Sequence, residues 1–445
     1  MATRHLYRST AWAACFMVGA WLLGALWPAR AALELDITEG VVEPLPIAIS
    51  EFYGATPAAA ARGREIADVV SADLERSGLF RPIDRRAFIQ APEQLRDLPR
   101  FADWRQINAQ ALVTGEVMGG EDGGELTVEF RLWDVFAGTQ MRGLRFATTP
   151  ENWRRVAHKI ADAVYERITG ETGYFDTRIV YVAESGPATD RVKRLAIMDQ
   201  DGANHRFLTD GADLVLTPRF HPDAERIAFM TYAGRVPQVR QLDLITGAVT
   251  TLGNFERMTF APHFAPDGRR VAMSLAEEGN SDIYILDLST GEQRRLTDHS
   301  AIDTSPSFAP DGRRLVFNSD RAGTPQLYVM NANGSGVQRI SFGTGRYGSP
   351  AWSPRGDLIA FTKIEGGLFH IGVMRPDGSD ERLLTRSTLD EGPAWAPNGR
   401  VIVFSRKDYG SDRTRLFTID VTGYNERELP TPLDASDPDW SNLIP

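Results

Sequence analysis

From residue 178 onward, apolar and polar positions alternate with a period of two, inside a phrase that recurs. "FHPDAERIAFM" starts at Phe220, "FAPDGRRVAMS" at Phe264, "FAPDGRRLVFN" at Phe308, "WSPRGDLIAFT" at Trp352 and "WAPNGRVIVFS" at Trp395. The lead aromatics stand about 44 residues apart, and a sixth, Trp440, follows at the same interval. After each aromatic come a proline and an Asp-Gly or Asn-Gly pair, a strong hairpin signal. A β-rich strand follows, as in Leu315-Val316-Phe317, then a second strand with its turn ("DIYILDLSTG", "QLYVMNANG"). A short last strand ends in "RRLT", "QRIS" or "RLLT". Four short strands in such an interval make a propeller blade, whereas helical repeats would show a 3.6-residue period. The sixth unit stops after one strand, and "RIVYVAES" (178–185) and "RLAIMDQDG" (194–202) match its missing parts. The pattern predicts a six-bladed all-β propeller over 178–445, its last blade closed by the C-terminal strand, which leaves no open sheet edge.

Residues 32–170 lack the repeat and predict an α+β domain. "LPIAISEF" (45–52) reads as a strand. Pro57 opens a helix with Ile66, Val69, Val70 and Leu74 on one face, ending at Gly78. "ALVTGEVM" (111–118) is a strand candidate, and "ELTVEFRLWDV" places Leu126, Val128, Phe130 and Leu132 on one face. A return strand passes Leu144 and Phe146. Thr149 and Pro150 then signal the start of a last helix, striped by Trp153, Val156, Ile160, Val164 and Ile168 and closed by Gly170. The expectation is a mixed sheet with two principal helices, joined to the propeller by residues 171–177.

The first 31 residues change the picture of where this fold resides. Arg4 and Arg8 precede an uncharged run from Ala11 to Trp27, then Pro28 and the small-residue pattern Ala29-Arg30-Ala31. This reads as an export signal cut after Ala31. Cys15, the chain's single cysteine, lies early in the apolar run and not at its end, which argues against a lipid anchor. Removal of the leader leaves no cysteine, so buried cores must carry the stability. The leader holds three arginines and no acid, so the remainder is more acidic than the −10 of the whole chain. Nucleic acid and anionic lipid are therefore excluded as partners, and no later segment is apolar enough for membrane insertion.

Catalytic and metal motifs are missing. The chain has no Gly-x-Ser-x-Gly, no His-Glu-x-x-His and no phosphate loop. His158, His205, His221, His263, His299 and His370 are scattered over different units and not spaced as ligands. The Asp-Gly pairs serve turns better than calcium, and the arginines after them (Arg269-Arg270, Arg313-Arg314) read as solvated strand-start charges. No cofactor is expected. A lyase would need clustered metal ligands, a peptidase a further hydrolase domain, and a peptidoglycan- or carbohydrate-binding propeller a ring of exposed aromatics. The variable part of each repeat is the link before the lead strand, which in a propeller rings the channel mouth. These links hold Met258, Phe260, Ala261, His263, Asp303, Thr304, Arg346, Tyr347, Asp390 and Glu391, with Asp434 and Asp437. Acids beside apolar and aromatic tips (Met258, Phe260, Tyr347) suit a protein partner with basic groups.

Taken together, the leader, the α+β domain, six "P-x-[FW]-[SA]-P-[DN]-G" repeats, "TRIVYVAE" at 177–184 and the closing "DPDWSNLIP" resemble the TolB family of periplasmic Tol–Pal propellers. The resemblance implies a monomeric, non-catalytic adaptor. It implies a Pal-like lipoprotein docked at the channel mouth, with Met258, Ala261 and Thr304 in the loops used. It also implies a TolA-like inner-membrane protein engaging a switch segment at residues 32–40, which includes Leu33, Glu34, Leu35, Asp36 and Ile37. Outer-membrane proteins or colicins are further partners it allows. On that reading, charge reversal at Asp303 and Glu391 weakens docking and leaves the fold intact.

Overall fold

The computed structural model describes residues 33, 43–120, 123–187, 189–233, 237–253, 255, 257–407, 410 and 413–445. The expected leader, its cleavage point at Ala31, and Glu34, Leu35, Asp36 and Ile37 lie outside the described residues.

Strands β1 (Leu45–Ile49), β2 (Tyr53–Gly54), β3 (Phe80–Pro82), β4 (Ala111–Gly119), β5 (Leu126–Asp134) and β6 (Thr139–Thr148) form one mixed sheet. Its order is β3-β1-β4-β5-β6, with β2 beside β4. β1 runs parallel to β3 and β4, and β4-β5-β6 is an antiparallel meander. The helices are α1 (Pro57–Arg76), α2 (Phe101–Gln106) and α3 (Trp153–Thr169). Leu126, Val128, Phe130 and Leu132 of β5 are buried in one core with α1 and α3, so the alternation in the sequence marks the helix-covered face. Thr56 caps α1 by accepting from the Ala59 amide, with Pro57 at the first helical position. Thr149 and Pro150 do not open α3 directly. They begin a single 3₁₀ turn whose Asn152 amide donates to the Thr149 carbonyl at 3.1 Å, and the helix proper starts at Trp153. α2 has no counterpart in the sequence reading, since six residues are too few to show a helical period. Its Trp104 is buried on the opposite face of the sheet and donates Nε1–H to Gln90 Oε1 at 2.9 Å.

The propeller consists of six four-stranded antiparallel sheets. In five of them the innermost strand comes first: Val215–Phe220, Met258–Phe264, Asp303–Phe308, Arg346–Trp352 and Asp390–Trp395. In the sixth, Asp434–Trp440 is innermost and pairs with Arg178–Ser185. Every inner strand bulges where its register slips, next to its proline. The residue before that proline has a positive φ in each blade: Thr217 (46°), Ala261 (49°), Ser305 (54°), Ser349 (47°), Gly392 (64°) and Asp437 (50°). A proline disfavours helical backbone in the residue before it, and L-residues rarely enter the left-handed region, so this ring is built against local preference. The strand edge there faces the channel, where a proline forfeits no ladder hydrogen bond.

The repeated phrase supplies the contacts between blades. Gly268 and Gly312 take φ of 67° and 66° in the hairpin turns, as Asp-Gly pairs require. The second arginine after each turn is not simply solvated, contrary to the sequence expectation. Arg270 lies 5.5 Å from the ring centre of Phe308, and Arg314 4.9 Å from that of Trp352, each the lead aromatic of the following blade. The hydroxyl that ends each outer strand also has a function. Thr297, Ser341 and Thr385 accept the amides of Ile283, Leu327 and Ile371 at 2.8–2.9 Å.

One apolar core joins α1 and α3 to blades five and six, including Tyr181, Met198, Leu416 and Trp440, and half-buried Leu33 packs against it. Residues 174–177 are buried, and the Asp162 carboxylate accepts the amides of Phe175 and Asp176. Asn425 of blade five donates to the Arg76 carbonyl at the end of α1, 2.8 Å away. Glu171 pairs with Arg355 of blade four at 2.7 Å.

Candidate functional site

The contacts of the N-terminal domain run to the turns at the far ends of the inner strands: Arg355, the 199–204 turn and Asn425. The links that start the inner strands lie at the other end, and among the described residues no hydrogen bond or ion pair joins them to the N-terminal domain. The channel between encloses about 340 Å³, lined by the six bulge residues, paired prolines and the lead aromatics.

Inside the channel Asp439, Ser307 and two histidines are committed to structure. Asp439 accepts the Phe220 amide at 2.6 Å, and Ser307 accepts the Trp352 amide at 3.0 Å. His263 Nδ1 faces the Phe308 amide at 3.4 Å, so one blade's side chain receives the next blade's backbone. Burial, reinforced by the charge of Arg219, pushes the His263 imidazole down to about 4, which keeps it neutral and able to accept. Burial raises Asp439 to about 6, despite the opposing charge of Arg219. His221 donates Nε2–H to the Gly268 carbonyl at 2.9 Å and packs edge-on against Phe264. Both histidines therefore belong to the channel wall, and His263 sits below the rim on which the sequence placed it.

At the rim the sequence-derived residues divide into two groups. Asp303 is fully buried, with both carboxylate oxygens on Arg321 at 2.9 and 2.7 Å. Asp390 is likewise buried and paired with Arg406 at 2.7 and 2.9 Å. Tyr347 is 1% exposed and donates its hydroxyl to Glu381 at 2.9 Å. These three support the rim from beneath and are not its contact points. The reason is common to them: each is the first or second residue of an inner strand, and its side chain turns between blades where only paired polar groups are stable. Charge reversal at Asp303 would thus strike the fold, contrary to the sequence expectation.

The second group is accessible. Glu391 and Arg346 are exposed, and Met258, Phe260, Ala261 and Thr304 are half-buried. Although the residue is exposed, desolvation of its carboxylate among the surrounding blades and the neighbouring Asp437 carboxylate push Glu391 above its ordinary range. Among the described residues neither Glu391 nor Asp437 has an ion-pair partner. Sequence reasoning missed the apolar rim residues Leu214, Ile302 and Phe342, which are 39%, 46% and 71% exposed. They lie in links without periodicity, so their only signal was an unpaired apolar residue between turn formers. Asp73, His158 and Asp201 are close enough to share an ion, but their oxygens already serve Arg76, Gln200 and Arg154. Among the described residues no helix is long and apolar enough to cross a membrane.

Known proteins share this arrangement. Residues 165–444 match the family model of the TolB β-propeller domain, and residues 33–141 match that of the TolB amino-terminal domain. The Tol-Pal system protein TolB of Paramagnetospirillum magneticum is 65% identical over 450 residues, covering 100% of both chains. The crystal structure of TolB from Acinetobacter baumannii matches with a TM-score of 0.80 at 28% identity, over 92% of this chain and 100% of that one. With both domains matched in order and a relative similar from end to end, the chain belongs to the TolB family of the Tol–Pal system.

Proposed function

We propose that the protein is a non-catalytic periplasmic adaptor of the Tol–Pal cell envelope, supporting outer-membrane integrity and constriction during division. Its channel mouth docks a Pal-like lipoprotein, and its segment 32–40 is offered to a TolA-like inner-membrane protein. The observation that carries this reading is the rim, where apolar residues stand with two carboxylates that, among the described residues, have no ion-pair partner, and where no hydrogen bond or ion pair of the described N-terminal residues reaches. Such a surface suits a protein carrying a basic tip among apolar residues. Non-catalysis is supported by the channel, whose histidine and aspartate serve as acceptors for backbone amides.

The test is calorimetric titration of the exported protein with the Pal-like lipoprotein encoded in the same genome. Phe260→Ser and Glu391→Lys are each expected to weaken binding about tenfold or more, as hot-spot residues do, with the thermal transition unchanged. Equal affinity in both variants would overturn the assignment of the rim. Deletion of 32–40 is expected to abolish capture by a TolA-like protein, and undiminished capture would overturn the switch segment.

A further inference from the structure

A buried polar cluster lies at the junction of α1, α3 and blade six. His158 of α3 is 2% exposed, and its Nδ1 lies 2.6 Å from Asp73 Oδ2 of α1. The other oxygen of Asp73 accepts from Arg76 Nη1 at 3.2 Å and from Gln200 Nε2, of the blade-six turn, at 2.8 Å. On the far side of the ring, His158 Nε2 is buried and has no hydrogen-bond partner. It faces Asp199 Oδ2 of the same turn at 4.0 Å. Arg154 Nε, also buried and unpartnered, lies 3.7 Å from that oxygen, while its Nη2 bonds Asp201.

Three carboxylates, Asp73, Asp199 and Asp201, thus meet two guanidinium groups, Arg76 and Arg154. The cluster lacks one positive charge unless the imidazole carries it. Farther out stand Asp162 of α3, Tyr174 of the join, Arg178 and Arg206 of blade six, and Asp176 with Arg155 and Lys159. A metal ion is a poorer fit. Asp199 Oδ2 already accepts from Asn204 Nδ2 at 2.6 Å and faces Arg154 Nε–H, a permanent donor, so a cation would have to share that oxygen with two N–H groups.

We propose that His158 is a proton-operated latch between the two domains. As an imidazolium it donates through Nδ1 to Asp73 of the N-terminal domain and turns its charged Nε2–H toward the Asp199 carboxylate of the propeller, 4.0 Å away. Loss of the proton removes the attraction between His158 and Asp199 and loosens the 199–204 turn, which then keeps only its bonds to the helices through Gln200 and Asp201. Burial opposes the charge, yet Asp73, Asp201 and Asp199 outweigh it and raise the imidazole above its ordinary value. The latch is therefore fully set at pH below the ordinary histidine range and is lost as pH rises through the raised value.

The experiment follows amide exchange at 200–203 in the protein and in His158→Gln, compared at each pH so that the base catalysis of exchange cancels. Opening of the wild-type junction is expected to grow about tenfold per pH unit above pH ~6.5 until His158 is neutral. The variant lacks that rise, so the two converge at alkaline pH. Should His158→Gln not fold, Asp199→Asn leaves α3 intact and is expected to move the wild-type midpoint to lower pH. A His158 ring that titrates by NMR at or below the ordinary histidine value would overturn the proposal. So would a pH-independent ratio, or zinc chloride tightening the junction reversibly to chelator.

Discussion

Asp303 shows how little a residue's type says about its role. It carries the charge a partner-binding rim needs, yet it is fully buried, with both its oxygens on Nη2 of Arg321, whose guanidinium also covers Phe317 and Tyr328. Breaking a buried pair from one side strands the other charge, at a cost of about 3–5 kcal/mol. Asp303→Lys is expected to lower the thermal midpoint by many degrees, while Asp298→Lys on the same link, 86% exposed, leaves it nearly unchanged. Equal effects in a melting experiment would contradict this. Asp439 gives a prediction of opposite sign to that of a paired carboxylate. Its folded value of about 6 lies above the ordinary 3.8, so the folded state holds the proton more tightly across that window. Stability is present below pH ~4 and is lost as pH rises through about 6. Asp439→Asn retains a carbonyl for the Phe220 amide. It is expected to match the wild type near pH 4 and to be the more stable of the two at pH 7, by denaturant titration. Residues such as these were legible as chemistry and not as position: a link without periodicity does not reveal which of its side chains turns between blades.

At the level of elements, legibility followed length and repetition. Helices α1 and α3 and strand β5 show their period over enough residues to declare their buried faces, whereas α2 and the short strand β3 do not. The inner-strand bulges were invisible for another reason. A residue with positive φ is usually signalled by glycine, and here five of the six positions hold threonine, alanine, serine or aspartate. Where glycine does appear at an element's end, it is informative. Gly78 follows α1 with φ of 74°, and a Cβ there would come within 2.8 Å of the Asn425 amide group that caps the helix. Gly78→Ala is expected to cost about 1–3 kcal/mol by strain and loss of that cap, read as a lower midpoint in urea. Asn425→Ala, which removes only the cap, is expected to cost less. The reverse order would place the strain elsewhere.

For the molecule as a whole, the shared core of α1, α3 and blades five and six binds the two domains into one unit. Calorimetry is expected to show a single transition near neutral pH in which both domains melt together. Two separated transitions would mean that the junction contributes little. Six blades were countable from six aromatics, and the absence of catalytic motifs narrowed the class of function. What the sequence left unsaid was which face the N-terminal domain covers, because that depends on contacts between residues hundreds of positions apart.

The sixth blade has a consequence in time. Its strand Arg178–Ser185 is synthesised long before the segment that completes it, and the mutual hydrogen bonds of Arg178 and Ser441 join residues 263 positions apart. Until the closing strand arrives, five finished sheets must coexist with one that shows a bare inner edge, and the nascent ring remains an open spiral. A chain broken off before Asp434 would keep the unclosed edge for good, displaying to proteases and chaperones that it was never finished.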